Sequence, residues 1–151
     1  MRVLLQAVAE ARVSVQGQQI AQIGRGVLAF VGISPTDGSA QIQKAARKIA
    51  QLKMVQPQAI QPESESERVN LEDSGLPVLL VSQFTLYADV RKGKKPGFSH
   101  AAPGEVARPL FDVLADELRT TWHVPVFTGQ FGAHMEVSLL NDGPFTLWVE
   151  V

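Results

Sequence analysis

Pro77-Val78-Leu79-Leu80-Val81-Ser82-Gln83-Phe84-Thr85-Leu86-Tyr87-Ala88-Asp89 begins as an unbroken aliphatic run and passes into small polar residues before its first charge. Four consecutive aliphatic residues bounded by Pro77 and Ser82 read as a strand buried on both faces, which belongs inside a sheet rather than on its wet side. The polar end then falls at the carboxyl edge of that sheet, where α/β folds gather their ligand sites. A second string, Asn141-Asp142-Gly143-Pro144-Phe145-Thr146, also joins a strand to small polar groups and exposed backbone. Neither string holds a histidine, a cysteine or a pair of carboxylates. A site built from them acts through main-chain amides, hydroxyls and the substrate itself, not through a charge-relay triad.

Outward from this strand, Val27-Leu28-Ala29-Phe30-Val31 is a second run apolar on both faces. Before it, Val3-Leu4-Leu5 opens a strand and Val13 and Val15 alternate with Arg12, Ser14 and Gln16; Gly17 offers a turn ahead of Ile20 and Ile23. These segments predict an N-terminal meander. Ile42, Ala45, Ala46, Ile49 and Leu52 form one helical stripe opposite Lys44, Arg47 and Lys48, with Asp37 as the expected cap. From Val55 to Gly75 the pattern fails among prolines, serines and Glu63, Glu65 and Glu67, so a flexible loop without chemistry is expected. Leu110, Leu114 and Leu118 predict a helix over about Val106 to Trp122, with Pro109 tolerated in its first turn. Strands follow at Val124–Phe127, His134–Leu140 and Phe145–Val151, and Asn141–Pro144 has the composition of a tight hairpin turn. The order of elements predicts one α/β domain over residues 1–151.

At 151 residues and 45% hydrophobic content the chain is long enough for one core that hides roughly 70% of the unfolded surface. Its longest apolar runs fall far short of the ~20 residues of a membrane span, and the first residues carry no signal pattern, so a cytoplasmic protein without membrane contact is expected. With no cysteine, disulfides, thiolate metal sites and a cysteine nucleophile are excluded. A net charge of −1 argues against wrapping a long nucleic acid, since each neutralised phosphate needs a nearby cation. One basic cluster, Arg91, Lys92, Lys94 and Lys95, follows the first motif directly and leaves room for a short contact.

Among single residues, Ser82 and Thr85 carry hydroxyls but no base stands near them in sequence. His123 and His134 suit structural positions at a helix end and a strand start; His100, after the basic loop, is the one histidine kept as a functional candidate. Three scattered histidines make no metal site, and no cofactor is expected. Gln83 and Phe84 pair an amide with a ring, a combination suited to a nucleotide or an aminoacyl group.

The Ser82-Gln83-Phe84-Thr85-Leu86 and Asn141-Asp142-Gly143-Pro144-Phe145-Thr146 strings resemble the two signature motifs of the D-aminoacyl-tRNA deacylases. The likeness extends to the opening Met1–Gln6, the Val13–Gly17 hairpin, Lys48-Ile49 with Leu52, and Gly129-Gln130-Phe131-Gly132-Ala133-His134-Met135, so it covers nearly the whole chain. It implies a three-layer α/β/β domain, a homodimer with the site at the subunit interface, and hydrolysis of the ester that joins a D-amino acid or glycine to the terminal adenosine of tRNA. It further implies that Ser82, Gln83, Phe84 and Thr85 surround the scissile ester and that Phe131 and Met135 line the adenine pocket. Gly143 and Pro144 would form a Gly-cisPro element inserted into the partner's pocket, a geometry that sequence alone does not license because only about 5–6% of X–Pro bonds are cis. The resemblance also implies help from the tRNA 2′-hydroxyl, which accounts for the missing triad. Ala7 departs from the arginine usual after Gln6, and Arg68-Val69-Asn70-Leu71 and Lys95-Pro96-Gly97-Phe98 match only loosely. A non-catalytic module for RNA ends and a deacylase of altered stereospecificity are the rival readings.

Overall fold

The computed structural model describes residues 1–57, 68–91 and 93–151. Its axis is β1 (Arg2–Val15), a fourteen-residue strand long enough to serve three partners. On one side β2 (Gln18–Ile23) and β3 (Gly26–Gly32) follow one another in unbroken register, Ala11 opposite Ile23 and Val8 opposite Gly26. The expected meander is therefore corrected: Gly24-Arg25 interrupts two collinear segments instead of reversing the chain. Antiparallel β6 (Glu136–Glu150) runs along the other edge of β1, from Arg2 to Ser14. β3 continues the sheet through parallel pairing to β4 (Val78–Ser82), and β4 through parallel pairing to β5 (Val126–Thr128).

The buried residues of β1 serve two cores, because an extra residue between Val8 and Glu10, where the register against its partner shifts, changes the face that its odd-numbered side chains offer. Val3, Leu5 and Ala7 face α1 (Ser39–Gln51) and α3 (Gly104–Thr120), whose Ile42, Ile49, Phe111, Leu114 and Leu118 complete the larger core. On the other face Val8, Ala11 and Val13 join Leu28, Leu79 and Val81 in a smaller core, which the sheet encloses by curling so that β2 packs against β4 and β5. Helices on one side and a sheet closing on itself on the other give the expected α/β/β layering. Among the described residues no helix is long and apolar enough to cross a membrane.

Four local expectations change. Asp37 does not cap α1: its carboxylate binds the Met1 ammonium at 2.7 Å and accepts from the Ser34 amide, while Gly38 precedes the helix and donates to Gln41 Oε1. Pro109 sits in the second turn of α3, not the first, and is tolerated because it faces solvent and only the Glu105 carbonyl goes without a helical donor. The stretch from Val55 to Gly75 is ordered at both ends. Val55 bridges Val69, and Asn70 caps α2 (Leu71–Ser74) by accepting from the Asp73 amide at 2.7 Å. The acidic residues Glu63, Glu65 and Glu67 lie outside the described residues, as does Lys92.

Asn141–Pro144 is not a hairpin turn. The segments before and after it both pair with β1, Val8 opposite Asn141 and Gln6 opposite Thr146, so Asp142-Gly143-Pro144-Phe145 loops out across from Ala7 alone. The Gly143–Pro144 peptide is cis.

Candidate active site

Where β4 ends, the chain turns into a short 3-10 helix, Phe84–Tyr87, because Gln83 is held at the sheet edge by its amide donating to the Val31 carbonyl at 2.7 Å. The strand thus stops at Ser82, and Phe84 and Thr85 start a helical turn. Among the described residues the N–H groups of Phe84 and Thr85 have no hydrogen-bond partner, as the first amides of a helix lack one within it. The Gln83 side-chain amide donates to Thr85 Oγ1, which leaves its carbonyl oxygen free and fixes the threonine.

Beside this turn lies a cleft of about 520 Å³, within the range of small-molecule sites. Ser82, Gln83 and Phe84 form one wall and Phe131, His134 and Met135 another, while Ala102 and Ala107 close it at the start of α3. Small residues decide the shape. A Cβ on Gly129 would stand 2.6 Å from Met135 Sδ, so a larger residue there would push the flexible end of the methionine aside and reshape that wall of the cleft. Phe131 is set by Phe111 of α3, ring centroids 6.0 Å apart. The mouth carries Phe84, with Phe98 edge-on at 5.1 Å.

Two further features lie outside the lining of the cleft. The loop after the 3-10 helix is closed by paired bonds between Asp89 and Gly97 at 2.7 and 2.9 Å, which display Lys94 and Lys95 to solvent. Arg91 is less available, because its guanidinium grips Asp89 at 2.7 and 2.9 Å and holds that carboxyl well below the usual carboxylate range. His100 lies in a separate groove beside Tyr87 and both chain ends, away from the cleft. There burial, assisted by the Asp37 charge, pushes the Tyr87 hydroxyl above its ordinary value.

Residues 4–150 match the model of the family described as D-Tyr-tRNA(Tyr) deacylase. The chain belongs to this family.

The D-aminoacyl-tRNA deacylase of Thermomicrobium roseum is 50% identical over 152 residues, spanning 99% of this chain and 94% of that protein. That of Kineococcus radiotolerans is 48% identical over 151 residues, with 99% of each covered. Among solved structures, the c-Myc DNA unwinding element binding protein shares 36% identity at a TM-score of 0.88, covering 100% of this chain and 99% of that one. A probable eukaryotic D-amino acid tRNA deacylase has the same fold at a TM-score of 0.80 and 21% identity, covering 99% and 98%. This chain is accordingly a hydrolase of the deacylase family, as its two motifs led us to expect.

Against that identity the structure divides the expected site residues. Ser82, Gln83, Phe84, Phe131 and Met135 share the cleft, and Thr85 stands one residue behind, bound to Gln83. Gly143 and Pro144 do not line it. The excursion that carries Gly143 lies opposite Ala7, six β1 residues from Val13, the partner of Val137, or roughly 20 Å along the strand. Sequence reading missed Ala102 and Ala107, whose small size just before and within the first turn of a helix was the available signal, and it kept the wrong histidine: His134, given a structural place, lines the cleft, and His100 does not.

Proposed function

We propose that this deacylase hydrolyses the ester between a D-amino acid and the terminal adenosine of tRNA, acting as a symmetric dimer in which the Asp142–Phe145 excursion of each copy closes the cleft of the other. The division of the site carries the reading: within one chain the cleft and the Gly143–Pro144 tip lie apart, and a twofold partner is the simplest way to bring them together. β6 offers the surface for it. Among the described residues its outer edge has no partner strand, and Leu140 and Trp148 are 58% and 51% exposed.

In this arrangement the adenosine enters between Phe131 and Met135, and the ester lies at the free amides of Phe84 and Thr85, where negative charge on the carbonyl oxygen is met by two donors. Water adds to the carbonyl, the bond to the ribose oxygen breaks, and the neighbouring 2′-hydroxyl assists the proton transfer. Ser82 and Thr85 form no covalent intermediate: among the described residues neither hydroxyl is hydrogen-bonded to a base, His134 on the facing wall included, and Thr85 Oγ1 is taken by the Gln83 amide. Gly143 and Pro144 supply a wall of main-chain atoms where an L side chain would project; glycine has no side chain to exclude, so glycyl-tRNA is a substrate too. Lys94 and Lys95 meet acceptor-stem phosphates in the cytoplasm's translation pool.

Ester half-lives of D-tyrosyl-tRNA and L-tyrosyl-tRNA in the presence of the protein test the reading. Rapid loss of the D ester alone supports it. Equal loss of both points to altered stereospecificity, and binding without loss of either points to a non-catalytic module; each outcome overturns the proposal.

A further inference from the structure

The Asp142–Phe145 excursion interrupts the pairing of β6 with β1, so four residues must be held by side chains in place of ladder bonds. Its base is stapled. Gln6 Nε2 donates to Asn141 Oδ1 at 3.0 Å and to Thr146 Oγ1 at 3.3 Å, and Thr146 Oγ1 in turn donates to Asn141 Oδ1. Ala7, directly opposite, is buried and too short to reach the loop.

The flanks are held by two arginines from elsewhere in the sequence. Arg25 Nη1 contacts Asp142 Oδ2 at 2.5 Å and donates to the Gln56 carbonyl at 3.4 Å. The Arg68 guanidinium, bound to the Met54 carbonyl, lies 4.4 Å from the centre of the Phe145 ring. Within the four looped-out residues, Gly143 and Pro144 at the tip are exposed and Asp142 and Phe145 half-buried. The register puts Arg25 across from Ala9, so its side chain spans β1 to reach β6, two strand spacings or roughly 9.5 Å away. The chain just after Arg25 is packed closely: a Cβ on the next residue, Gly26, would stand 2.2 Å from the Pro77 carbonyl oxygen, which accepts from the Val27 amide at 3.0 Å.

We infer that Arg25 is a specificity-determining positioning residue: through Asp142 it fixes the Gly143–Pro144 tip and thereby sets how sharply D substrates are separated from L. This rests on the proposed role of that tip. Both partners are half-buried, 22% and 28% exposed, so the pair is shielded from full solvent screening and stronger than an open surface bridge.

The test compares wild type with Arg25→Ala, Arg25→Lys, Asp142→Ala and the double alanine variant. Amide hydrogen exchange over residues 141–146 reads the clamp without substrate, and steady-state hydrolysis of D- and L-tyrosyl-tRNA reads its consequence. Arg25→Ala is expected to speed exchange and to lower both kcat on the D ester and the D-to-L ratio by about tenfold, with KM little changed. Asp142→Ala should match it, the double variant should be no worse than either, and lysine should restore part of the loss. Exchange at the wild-type rate in Arg25→Ala, or additive losses in the double variant, overturns the clamp. Faster exchange with an unchanged D-to-L ratio overturns its role in specificity. A wild type that does not separate D from L fails separately, as a failure of the proposed function, and takes the specificity role with it.

Discussion

The cleft at the end of β4 and the excursion on β6 are built by opposite means. The cleft stands on strands whose residues are buried on both faces, and its walls are set by core packing: Leu80 beneath, Phe111 behind Phe131, Gly129 under Met135. The excursion stands on a strand whose outer face is wet, and it is held by a few polar contacts at its base and flanks. A cavity in a close-packed core keeps its shape without help. An exposed loop that must present backbone at a fixed place needs explicit braces, and those are single interactions that single substitutions remove.

The largest effect is expected from attacking the cleft's foundation. Leu80→Ala should cost roughly 2–5 kcal/mol, by lost burial plus a residual cavity, and lower Tm by roughly 10 °C in a melt followed by circular dichroism. Gly143→Ala is the contrasting case. An added Cβ there meets nothing closer than Asn141 Nδ2 at 3.7 Å, so the melt should be unchanged. If the tip enters a partner's cleft, that methyl group should still lower deacylation by roughly a hundredfold, as a misplacement of about 1 Å does. A variant that keeps full activity would separate the excursion from the site.

Lys94→Ala with Lys95→Ala should weaken tRNA binding and flatten its dependence on log salt, by about one unit of slope per lost phosphate contact. A slope equal to wild type would return both lysines to the solvent. Thr85→Ala should keep activity within roughly tenfold, because the amides act whatever the side chain, and no ester should form on the protein after rapid quench. The smallest effect lies in the surface pairs. Arg91 lowers the Asp89 carboxyl, and Arg2 lowers that of Glu150 through a hydrogen bond to its Oε1 at 3.0 Å. A depressed carboxyl adds stability above its unfolded pKa of about 4 and loses it as pH falls through the folded value. The small Tm difference between wild type and Asp89→Asn should therefore shrink steadily below about pH 4.

Much of this was legible in the chain, and for a shared reason: periodicity is local. The stripes of α1 and α3, the doubly buried β3 and β4, and the alternation of Phe145, Leu147 and Val149 against Thr146 and Trp148 follow from which face each residue offers. That Ser82–Thr85 falls at a strand end followed from the aliphatic run before it, and its proposed place around the ester came from the resemblance. Apart from a local error at the start of α3, what misled was a partner distant in sequence. A turn-like string such as Asn141–Pro144 is a hairpin if its flanks pair with each other and an excursion if both pair with a third strand; β1 lies more than a hundred residues earlier. Asp37 looks like a helix cap until the folded chain brings the Met1 ammonium to it, 36 residues away. Arg25 reads as loop punctuation, and only the fold carries it over β1 to Asp142, 117 residues on. Sequence determined the elements and the chemistry at their ends, because backbone preference and side-chain periodicity act within a few residues. Tertiary structure decided which ends meet, because register and ion pairing are chosen by the packed sheet as a whole.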